Sequence, residues 1–398
     1  MRVMALDISK GKSYVVIYDQ GECVDEWELK HNQSGFHQLR EKLRDFDTKV
    51  VFEATGVYSC QIETFLISEG IAFSKLNPLL AKMQTDVLRG NKTDKVDAHK
   101  LAQSHYRFDR ELTQPQTSVY TELHEVSSLY NEVHETLMKE KNYLHAGLQK
   151  VFPEAEKLYS ENLSQFTLNV IEKFAHPAYV LEISKTKIKN HILAGTMKKI
   201  SQEEAKRKAE ELIKMAEESY PSVNKDHFAV TKVQFRIKRI RELLKMKETL
   251  SAKMIKLTEE LSEFHILVSI PGIGPLSAAL LISELGDIRR FSTSNKINAF
   301  VGIDIRTHQS GTITKKERIN KRGNARARMI LFFIVRNMLR TQKSSPNHIV
   351  DYYYKLRKQP YHKRDKVAMI ACINKLLKVV HFLINKNELY DYALSPHS

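Results

Sequence analysis

The sequence predicts an α/β domain at the N-terminus that is followed by mainly helical segments. Three short β-patterns with turns between them occupy residues 2–28, and helix and strand patterns then alternate to about residue 105. Beyond residue 118, apolar residues recur every three or four positions over long stretches, which is the spacing of amphipathic helices. Together the two patterns predict an α/β plus α architecture.

The N-terminal patterns predict one layered sheet. Turn sequences at Lys10-Gly11-Lys12 and Asp19-Gln20-Gly21 separate the first three strands, which we expect to form an antiparallel meander. The predicted strands cover 2–7, 14–18, 22–28, 49–53 and 71–75, and the predicted helices cover 34–43 and 57–69 and begin again at Pro78 and Thr93. Three antiparallel strands followed by alternating helix and strand are typical of the ribonuclease-H type.

Long helices are predicted for the middle of the chain. Amphipathic stretches cover about 118–149, 200–217 and 228–264, whereas 150–200 shows weaker periodicity and receives no assignment. Stripes of this length are typical of a coiled coil or a helical bundle. We expect this region to serve dimerisation or to span between domains.

A Gly-rich turn introduces the C-terminal part. Pro271-Gly272-Ile273-Gly274 lies between a short helix and an apolar helix that begins at about Pro275. The pattern predicts a helix-hairpin-helix element in a mainly α domain, with turn amides at Gly272 and Gly274 facing a phosphate. A tight corner between two helices that packs the core is the alternative. The predicted domains are 1–110, 111–264 and 265–398.

Composition favours a protein with a polyanionic partner. The 398 residues include 63 Lys and Arg against 47 Asp and Glu, which gives a net charge of +16 and a pI of about 9.4. This charge favours nucleic acid; a basic housekeeping protein or a membrane-surface binder is the alternative. No uncharged apolar run of membrane length and no leader pattern is evident, so we expect a cytoplasmic protein that does not associate with membranes.

The three cysteines exclude two common kinds of stabilisation. Cys23, Cys60 and Cys372 are odd in number, are widely separated and lack CxxC spacing. The sequence therefore predicts neither a disulfide framework nor a zinc ribbon, and it is compatible with a reducing compartment.

Four acids in the N-terminal part predict a metal site. Asp7 and Glu53 each end a predicted strand, and Asp94 and Asp97 lie three apart on one face of a predicted helix. An aspartate at the end of a buried strand is costly unless it is hydrogen-bonded, paired or bound to a cation. Four carboxylates provide the hard oxygen ligands that two magnesium ions require for phosphodiester chemistry. Taken singly, Asp94 has an alternative role as a favourable charge in the first turn of its helix.

A basic segment near residue 320 predicts a phosphate-binding surface. Between residues 315 and 328 there are seven cations and one acid, and Arg322-Gly323-Asn324 resembles a turn into a helix. A solvated basic face is the alternative. The predicted nucleic-acid contacts here are Lys315, Lys321, Arg322, Asn324, Arg326 and Arg328.

One serine stands just upstream of this basic segment. Ser310 lies in Gln309-Ser310-Gly311, where glycine allows a turn that leaves the hydroxyl accessible. A serine hydroxyl is a poor nucleophile unless a base, a metal or cationic surroundings activate it. From residue type alone, Ser310 is a turn residue.

Five motifs together resemble a known family, the DEDD transposases of insertion-sequence family 110. The similarity spans roughly residues 1–105 and 265–340, and the helical middle matches only in character. The motifs are VFEATGVY at 51–58, LNP at 76–78, KTDKVDAHKLA at 92–102, GIDIRTHQSG at 302–311 and INKRGNARAR at 319–328.

The resemblance implies a RuvC-like metal nuclease domain joined by a coiled coil to a transposase domain. Asp7, Glu53, Asp94 and Asp97 would then bind Mg²⁺, with Mn²⁺ as a possible substitute, and Ser310 would be the nucleophile. Members of the family are recombinases that exchange DNA strands through a phosphoserine link. Ile305 departs from the family pattern, which usually has a proline before the serine.

The resemblance also implies partners. These are donor and target double-stranded DNA, a structured non-coding guide RNA from the element, and further copies of the chain in a homodimer or homotetramer. The metal site of one protomer would meet the serine of another, and the protein would act in the cytoplasm at the nucleoid.

Two other functions stay open on the residues alone. The acids would suffice for a RuvC-like Holliday-junction nuclease that hydrolyses phosphodiesters with water. A non-catalytic nucleic-acid-binding scaffold, in which the acids are structural, would also explain the basic charge.

Overall fold

The computed structural model describes residues 1–44, 47–85, 93–108, 110–158, 163–195, 200–306, 309–310, 313–314 and 318–393. The chain forms two compact units, Met1–Pro115 and Gln116–Ser398. The predicted boundary between residues 264 and 265 falls inside the second unit, whose apolar core includes residues from Tyr120 to Ile384.

The first unit contains a mixed five-stranded sheet. Its strand order is β3-β2-β1-β4-β5, with β1, β2 and β3 antiparallel and β4 and β5 parallel to β1. The predicted succession of three antiparallel strands followed by alternating helix and strand is confirmed. The elements are β1 (Arg2–Ser9), β2 (Lys12–Asp19), β3 (Glu22–Lys30), α1 (Gln33–Leu43), β4 (Thr48–Glu53), α2 (Cys60–Ser68), β5 (Phe73–Leu76), α3 (Pro78–Thr85) and α4 (Asp94–His105).

Helices cover both faces of this sheet. Because successive side chains of a strand point to opposite faces, Met4 and Leu6 of β1 pack in one core under α1 and α2. Val3 and Ala5 pack in a second core on the opposite face, against α3 and α4. β1 is therefore buried on both sides, which explains why it reads as a continuous apolar run.

The second unit is built mainly from helices. Its elements are α5 (Ser118–Val151), α6 (Gln165–Lys173), α7 (Pro177–Leu181), α8 (Lys185–Ala194), α9 (Gln202–Glu218), α10 (Phe228–Thr258), α11 (Ser262–Ser269), α12 (Pro275–Leu285), α13 (Ser294–Val301), β6 (Ile305–Arg306), β7 (Gln309–Ser310), β8 (Ile313–Thr314), β9 (Arg318–Ile319), α14 (Ala325–Thr341), α15 (His348–Arg357) and α16 (Asp365–Lys386).

The two long helices α5 and α10 pack against each other as an antiparallel pair. Arg236 Nη1 lies 2.9 Å from the Glu140 carboxylate, and Lys253 Nζ lies 2.8 Å from that of Glu122. A Cβ added at Gly147 would approach Val233 to 2.8 Å, so the end of α5 adjoins the beginning of α10. The apolar stripes predicted for α5 and α10 therefore pack largely against each other within one chain.

The prediction of one helix over 228–264 is wrong at its C-terminal end. α10 stops at Thr258, and α11 begins at Ser262 after Leu261, whose backbone is extended (φ −87°, ψ 126°). The apolar residues on either side of this break continue the helical spacing, so periodicity alone does not reveal it. α9 confirms the helix predicted over 200–217, and the short helices α6 to α8 occupy the segment 150–200 that received no assignment.

The C-terminal helix α16 is long and apolar enough to cross a membrane by length and composition. Half of its most apolar 18-residue window is buried inside the structure. Its buried residues, among them Cys372 and Leu376, belong to the core of the second unit. This pattern is typical of a core helix.

The turn between α11 and α12 packs closely on α14. Gly272 has φ +94°, and a Cβ at this position would lie 2.5 Å from Met338 Cγ and 2.9 Å from its Cα. Asn337 Nδ2 donates to the Gly272 carbonyl at 2.8 Å. Gly274 has no atom within 4 Å of the place of a Cβ and begins α12 as its N-cap. The absence of a side chain at Gly272 is thus required by core packing.

We predict that Gly272→Ala lowers the free energy of unfolding by at least about 2 kcal/mol, because a Cβ overlaps Met338 and the backbone conformation disfavours L side chains. The matched variant Gly274→Ala should lose less than about 1 kcal/mol, the scale of an N-cap change. Urea unfolding monitored by circular dichroism measures both. Equal losses would contradict the assignment of Gly272 to packing.

Candidate active site

Two of the four predicted acids lie on neighbouring strands. Glu53 ends β4 as predicted, whereas β1 continues to Ser9, so the prediction that Asp7 ends its strand is wrong by two residues. Ala5 of β1 points into the core beneath α4, so Asp7, two residues further along, points to the same face. β4 runs parallel to β1 with Phe52 beside Leu6, and continuing this register places Glu53 next to Asp7. Both acids are half-buried.

Contacts at its two ends fix the direction of α4. Lys95 Nζ lies 5.9 Å from the centroid of the Tyr14 ring, and Tyr14 is the partner of Asp7 in β2. Just beyond the other end of the helix, the Tyr106 hydroxyl donates to the Met1 carbonyl at 2.8 Å. α4 therefore runs antiparallel to β1, and its first turn lies over the Asp7 end of the sheet.

The other two acids occupy that first turn. Asp94 and Asp97 lie on the helix face that continues as Ala98 and Leu101, which pack on the sheet. Thr93 caps the helix, since its side chain accepts a hydrogen bond from a first-turn amide at 3.2 Å. The fold thus gathers all four acids at one end of the sheet on the α4 face, beside a helix N-terminus that favours negative charge.

Nearby lysines partly offset the charge of these acids. Lys12 Nζ donates to Glu28 at 2.6 Å, and this bond raises the pKa of Lys12 above its usual value, with a further contribution from Asp94. Lys100 Nζ lies 3.9 Å from an Asp97 oxygen. These lysines lie close enough to Asp94 and Asp97 to interact with their charges, and a bound cation would add to that interaction.

The donor set fits a divalent metal in type. Carboxylate oxygens are the ligands that hard divalent cations prefer, and the four acids are in a position to hold them. Among the residues that the structure describes, Cys23, Glu26 and His99 are the one group of three whose ligand atoms lie within 4.8 Å of one another. The four acids are therefore more widely spread, and an ion would have to draw them together.

Ser310 belongs to the second unit, whereas the acids belong to the first. It ends β7, which pairs antiparallel with β8 so that Ser310 is opposite Ile313. The side chain of Ser310 and the following Gly311 lie outside the described residues. Ile305, at the position where the family pattern usually has proline, is a strand residue of β6 that is 60% exposed.

The predicted basic turn is bound to the end of α13. The Asn324 amide donates to the Phe300 carbonyl at 2.8 Å, and the Lys321 amide donates to the Gly302 carbonyl at 2.9 Å. Gly323 has φ +143°, and a Cβ there would approach the Phe300 carbonyl oxygen to 2.4 Å. The turn into α14 predicted from Arg322-Gly323-Asn324 is present, and it is hydrogen-bonded to and closely packed against the end of α13.

Two of the predicted nucleic-acid contacts have partners inside the protein. The Asn324 side chain caps α14 by accepting from the Ala327 amide at 2.9 Å, and it donates to the buried Glu284 carboxylate at 2.8 Å. Arg328 Nη1 donates to the Val301 carbonyl at the end of α13, at 2.6 Å. These side chains hold the turn in place, which is a structural role.

The remaining cations of the turn face solvent to different degrees. Lys321 and Arg322 are exposed and Arg326 is half-buried. Lys315 lies outside the described residues. Lys321 and Arg322 are thus the predicted contacts that stay best placed to meet a phosphate.

Models of known protein families match both the segment that contains the four acids and the segment that contains Ser310 and the basic turn. A model of the DEDD transposases of the IS110 type matches residues 4–153, which include all four acids. A model described as transposase IS116/IS110/IS902 family matches residues 264–350, which include Ser310 and the basic turn. The chain belongs to the IS110 family of DEDD transposases. A DEDD domain implies a ribonuclease-H-like fold, and such transposases normally use divalent metal ions.

Individual relatives of this IS110-family chain are distant. The transposase for insertion sequence element IS1111A of Coxiella burnetii is 32% identical over 122 residues, 31% of this chain and 33% of the relative. A probable family 20 transposase of Pseudomonas aeruginosa is 25% identical over 38% of this chain and 46% of the relative. A pilin gene-inverting protein of Moraxella bovis is 28% identical over 35% and 42%. The chain thus aligns with less than half of the length of each.

We predict that Asn324→Ala lowers the free energy of unfolding by about 1–2 kcal/mol, because it removes a helix cap and leaves buried Glu284 without this donor. Arg322→Ala, in the same turn but exposed, should change it by less than about 0.5 kcal/mol. Arg322→Ala should instead weaken DNA binding and reduce its salt dependence. Urea unfolding and DNA titrations at several salt concentrations measure these effects, and the reverse pattern would contradict the two roles.

Proposed function

We propose that this chain is a DNA transposase that cuts and exchanges the strands of an insertion sequence. The observation that carries the proposal is the gathering of Asp7, Glu53, Asp94 and Asp97 on one face of a sheet, in the region that matches the DEDD model. DNA phosphates can bind to the exposed cations of the turn before α14, and the net charge of +16 favours this binding. A relative named for inverting a pilin gene supports recombination as the reaction.

Mg²⁺, with Mn²⁺ as a possible substitute, is the ion that we assign to the four acids. All four ligands are hard carboxylates, and the site offers neither thiol nor imidazole among them. A bound divalent ion would supply charge stabilisation for the phosphate under attack. The half-buried Asp7 and Glu53 would anchor it on the sheet, and Asp94 and Asp97 would close over it from α4.

Ser310 is the proposed nucleophile. Its Oγ would attack a DNA phosphorus, forming a 5′-phosphoserine bond as the bond to the 3′ oxygen breaks, while the serine proton leaves and the released strand takes up a proton as a 3′ hydroxyl. Attack of another strand's 3′ hydroxyl on the phosphoserine would restore the serine and join the new DNA. Each step exchanges one phosphate ester for another, so no external energy source is needed.

Partners follow from the same proposal. They are donor and target double-stranded DNA, an element-encoded non-coding RNA that guides the choice of site, and a second copy or more of the chain. A composite site would join the acids of one protomer to Ser310 of another. The protein would work in the cytoplasm at the nucleoid.

We expect Ser310→Ala to abolish a covalent protein–DNA adduct and to leave DNA binding unchanged. The reaction contains Mg²⁺, both DNA partners and any RNA that copurifies with the protein, and denaturing gels reveal the adduct. Ser292→Ala, which changes an exposed serine of the same unit, should keep it. Persistence of the adduct in Ser310→Ala would move the nucleophile elsewhere, and free 5′-phosphate ends without an adduct in the wild type would favour hydrolysis by water.

Asp7→Asn should slow strand cleavage by at least about 100-fold, the scale expected when one preorganised charge-stabilising group is lost. Chelation of divalent metal should have the same effect. Asp19→Asn, at the far end of β2 from the acid site, is the matched control and should cleave normally. Full cleavage by Asp7→Asn would contradict a catalytic role of Asp7, and a wild-type protein that binds DNA without cleaving it would favour the non-catalytic scaffold, in which the acids are structural.

A further inference from the structure

A second group of metal-binding side chains lies in the first unit. Cys23 and Glu26 of β3 and His99 of α4 each place a ligand atom so that all three atoms lie within 4.8 Å of one another. They are a thiol, a carboxylate and an imidazole, whereas the site described above contains carboxylates alone. The proposed strand exchange does not use them.

An irregularity in the sheet brings the first two together. In a regular strand, residues three apart point to opposite faces. Here the pairing of β2 with β3 shifts, so that Ile17 is opposite Asp25 but Tyr18 is opposite Cys23. Val24 is the extra residue of this β-bulge and is 57% exposed. Bulges commonly redirect a side chain in this way.

The bulge turns both side chains toward α4. Glu26 is opposite Val16 and Cys23 is opposite Tyr18, and both of these β2 residues belong to the core beneath α4. Residues paired across two strands share a face. Cys23 and Glu26 therefore lie on the side of the sheet from which His99 approaches.

His99 is already oriented for such a role. Its Nε2 lies 2.8 Å from Glu26 Oε2, and its Nδ1 lies 2.8 Å from the Tyr18 hydroxyl. A metal-binding histidine is usually held by a hydrogen bond from its other ring nitrogen. In the structure Nε2 donates to the Glu26 carboxylate, and a metal bound at Nε2 would replace this hydrogen bond. The Tyr18 hydroxyl can then accept a hydrogen bond from Nδ1–H, which supports the tautomer that leaves the Nε2 lone pair free for the metal.

We propose that Cys23, Glu26 and His99 bind a transition-metal ion of the Zn²⁺ class. Thiolate and imidazole select such ions, whereas Mg²⁺ requires oxygen ligands. Cys23 is exposed, so water can complete a tetrahedral site. Lys95 contacts the second oxygen of Glu26, Oε1, and can keep this contact while Oε2 turns to the ion.

An ion at this position would connect the edge of the sheet with α4. β3 is an edge strand of the sheet, and His99 lies in the second turn of α4, directly after the turn that carries Asp94 and Asp97. An ion held by both elements would fasten that end of α4 to the sheet edge. It would thereby fix the helix that carries two of the four acids.

Cobalt titration of the full chain tests the proposal, because Co²⁺ replaces Zn²⁺ and gives a strong near-ultraviolet absorption when a thiolate binds it. With cysteines kept reduced, we expect this band to saturate at one ion per chain, to disappear on addition of Zn²⁺ and to survive excess Mg²⁺. Cys23→Ser should abolish the band, and Cys60→Ser, which changes another exposed cysteine, should retain it. A wild-type protein without the band, or a band lost in Cys60→Ser but kept in Cys23→Ser, would overturn the proposal.

Two further variants distinguish a loss of metal binding at this site from a loss of the four-acid site and from unfolding of the chain. His99→Gln changes a ligand on a different element and should weaken Co²⁺ binding at least about 10-fold, with circular dichroism confirming that the chain is folded. Asp7→Asn should keep the thiolate band at full strength even if strand cleavage is lost. Unchanged affinity in folded His99→Gln, or loss of the band in Asp7→Asn, would contradict a separate Cys23–Glu26–His99 site.

Discussion

The close packing of α4 on β1 is the contact on which the candidate active site depends. Ala98 and Ala102 of the helix and Ala5 of the strand are fully buried in the same apolar cluster. Small side chains at such a contact allow the helix backbone to approach the sheet closely, and larger ones would force the two apart. Since Asp94 lies one turn before Ala98 and Asp97 directly precedes it, their height above Asp7 is set by this apolar contact rather than by the acids themselves.

This arrangement separates the source of stability from the site of chemistry. Four carboxylates at one end of a sheet repel each other, and that repulsion disfavours the folded state unless cations offset it. Among the contributions that oppose it are the burial of both faces of β1, the Thr93 cap and the contacts of Lys12 and Lys100. The apolar layers on either side hold the acids near one another, as a site that binds a multivalent cation requires.

Much of the N-terminal unit could be predicted from the sequence, because its signals are local. Turn residues, apolar runs and a capping Thr93 define the strands and α4, and the positions of Asp7 and Glu53 at or near strand ends follow from the same patterns. What escaped prediction depends on partners distant in sequence. The extra residue Val24 is visible only in the register with β2, and the role of Asn324 depends on Glu284, 40 residues earlier. Periodicity likewise continues through the break at Leu261, where the backbone turns without a Gly or Pro to mark it.

The antiparallel pairing of α5 and α10 has a consequence for how the chain can vary in length. Val151 ends one helix and Phe228 begins its partner at the same end of the pair, where the Ser222 amide donates to the Lys150 carbonyl at 2.9 Å. The segment between these residues therefore begins and ends at the same end of the pair. Its helices still pack on α10, where Arg241 Nη2 donates to the Glu172 carboxylate at 2.7 Å, and they share the core of the unit. Changes in length are thus expected in the loops between these helices, where they would leave α11, α12 and the turn before α14 in place.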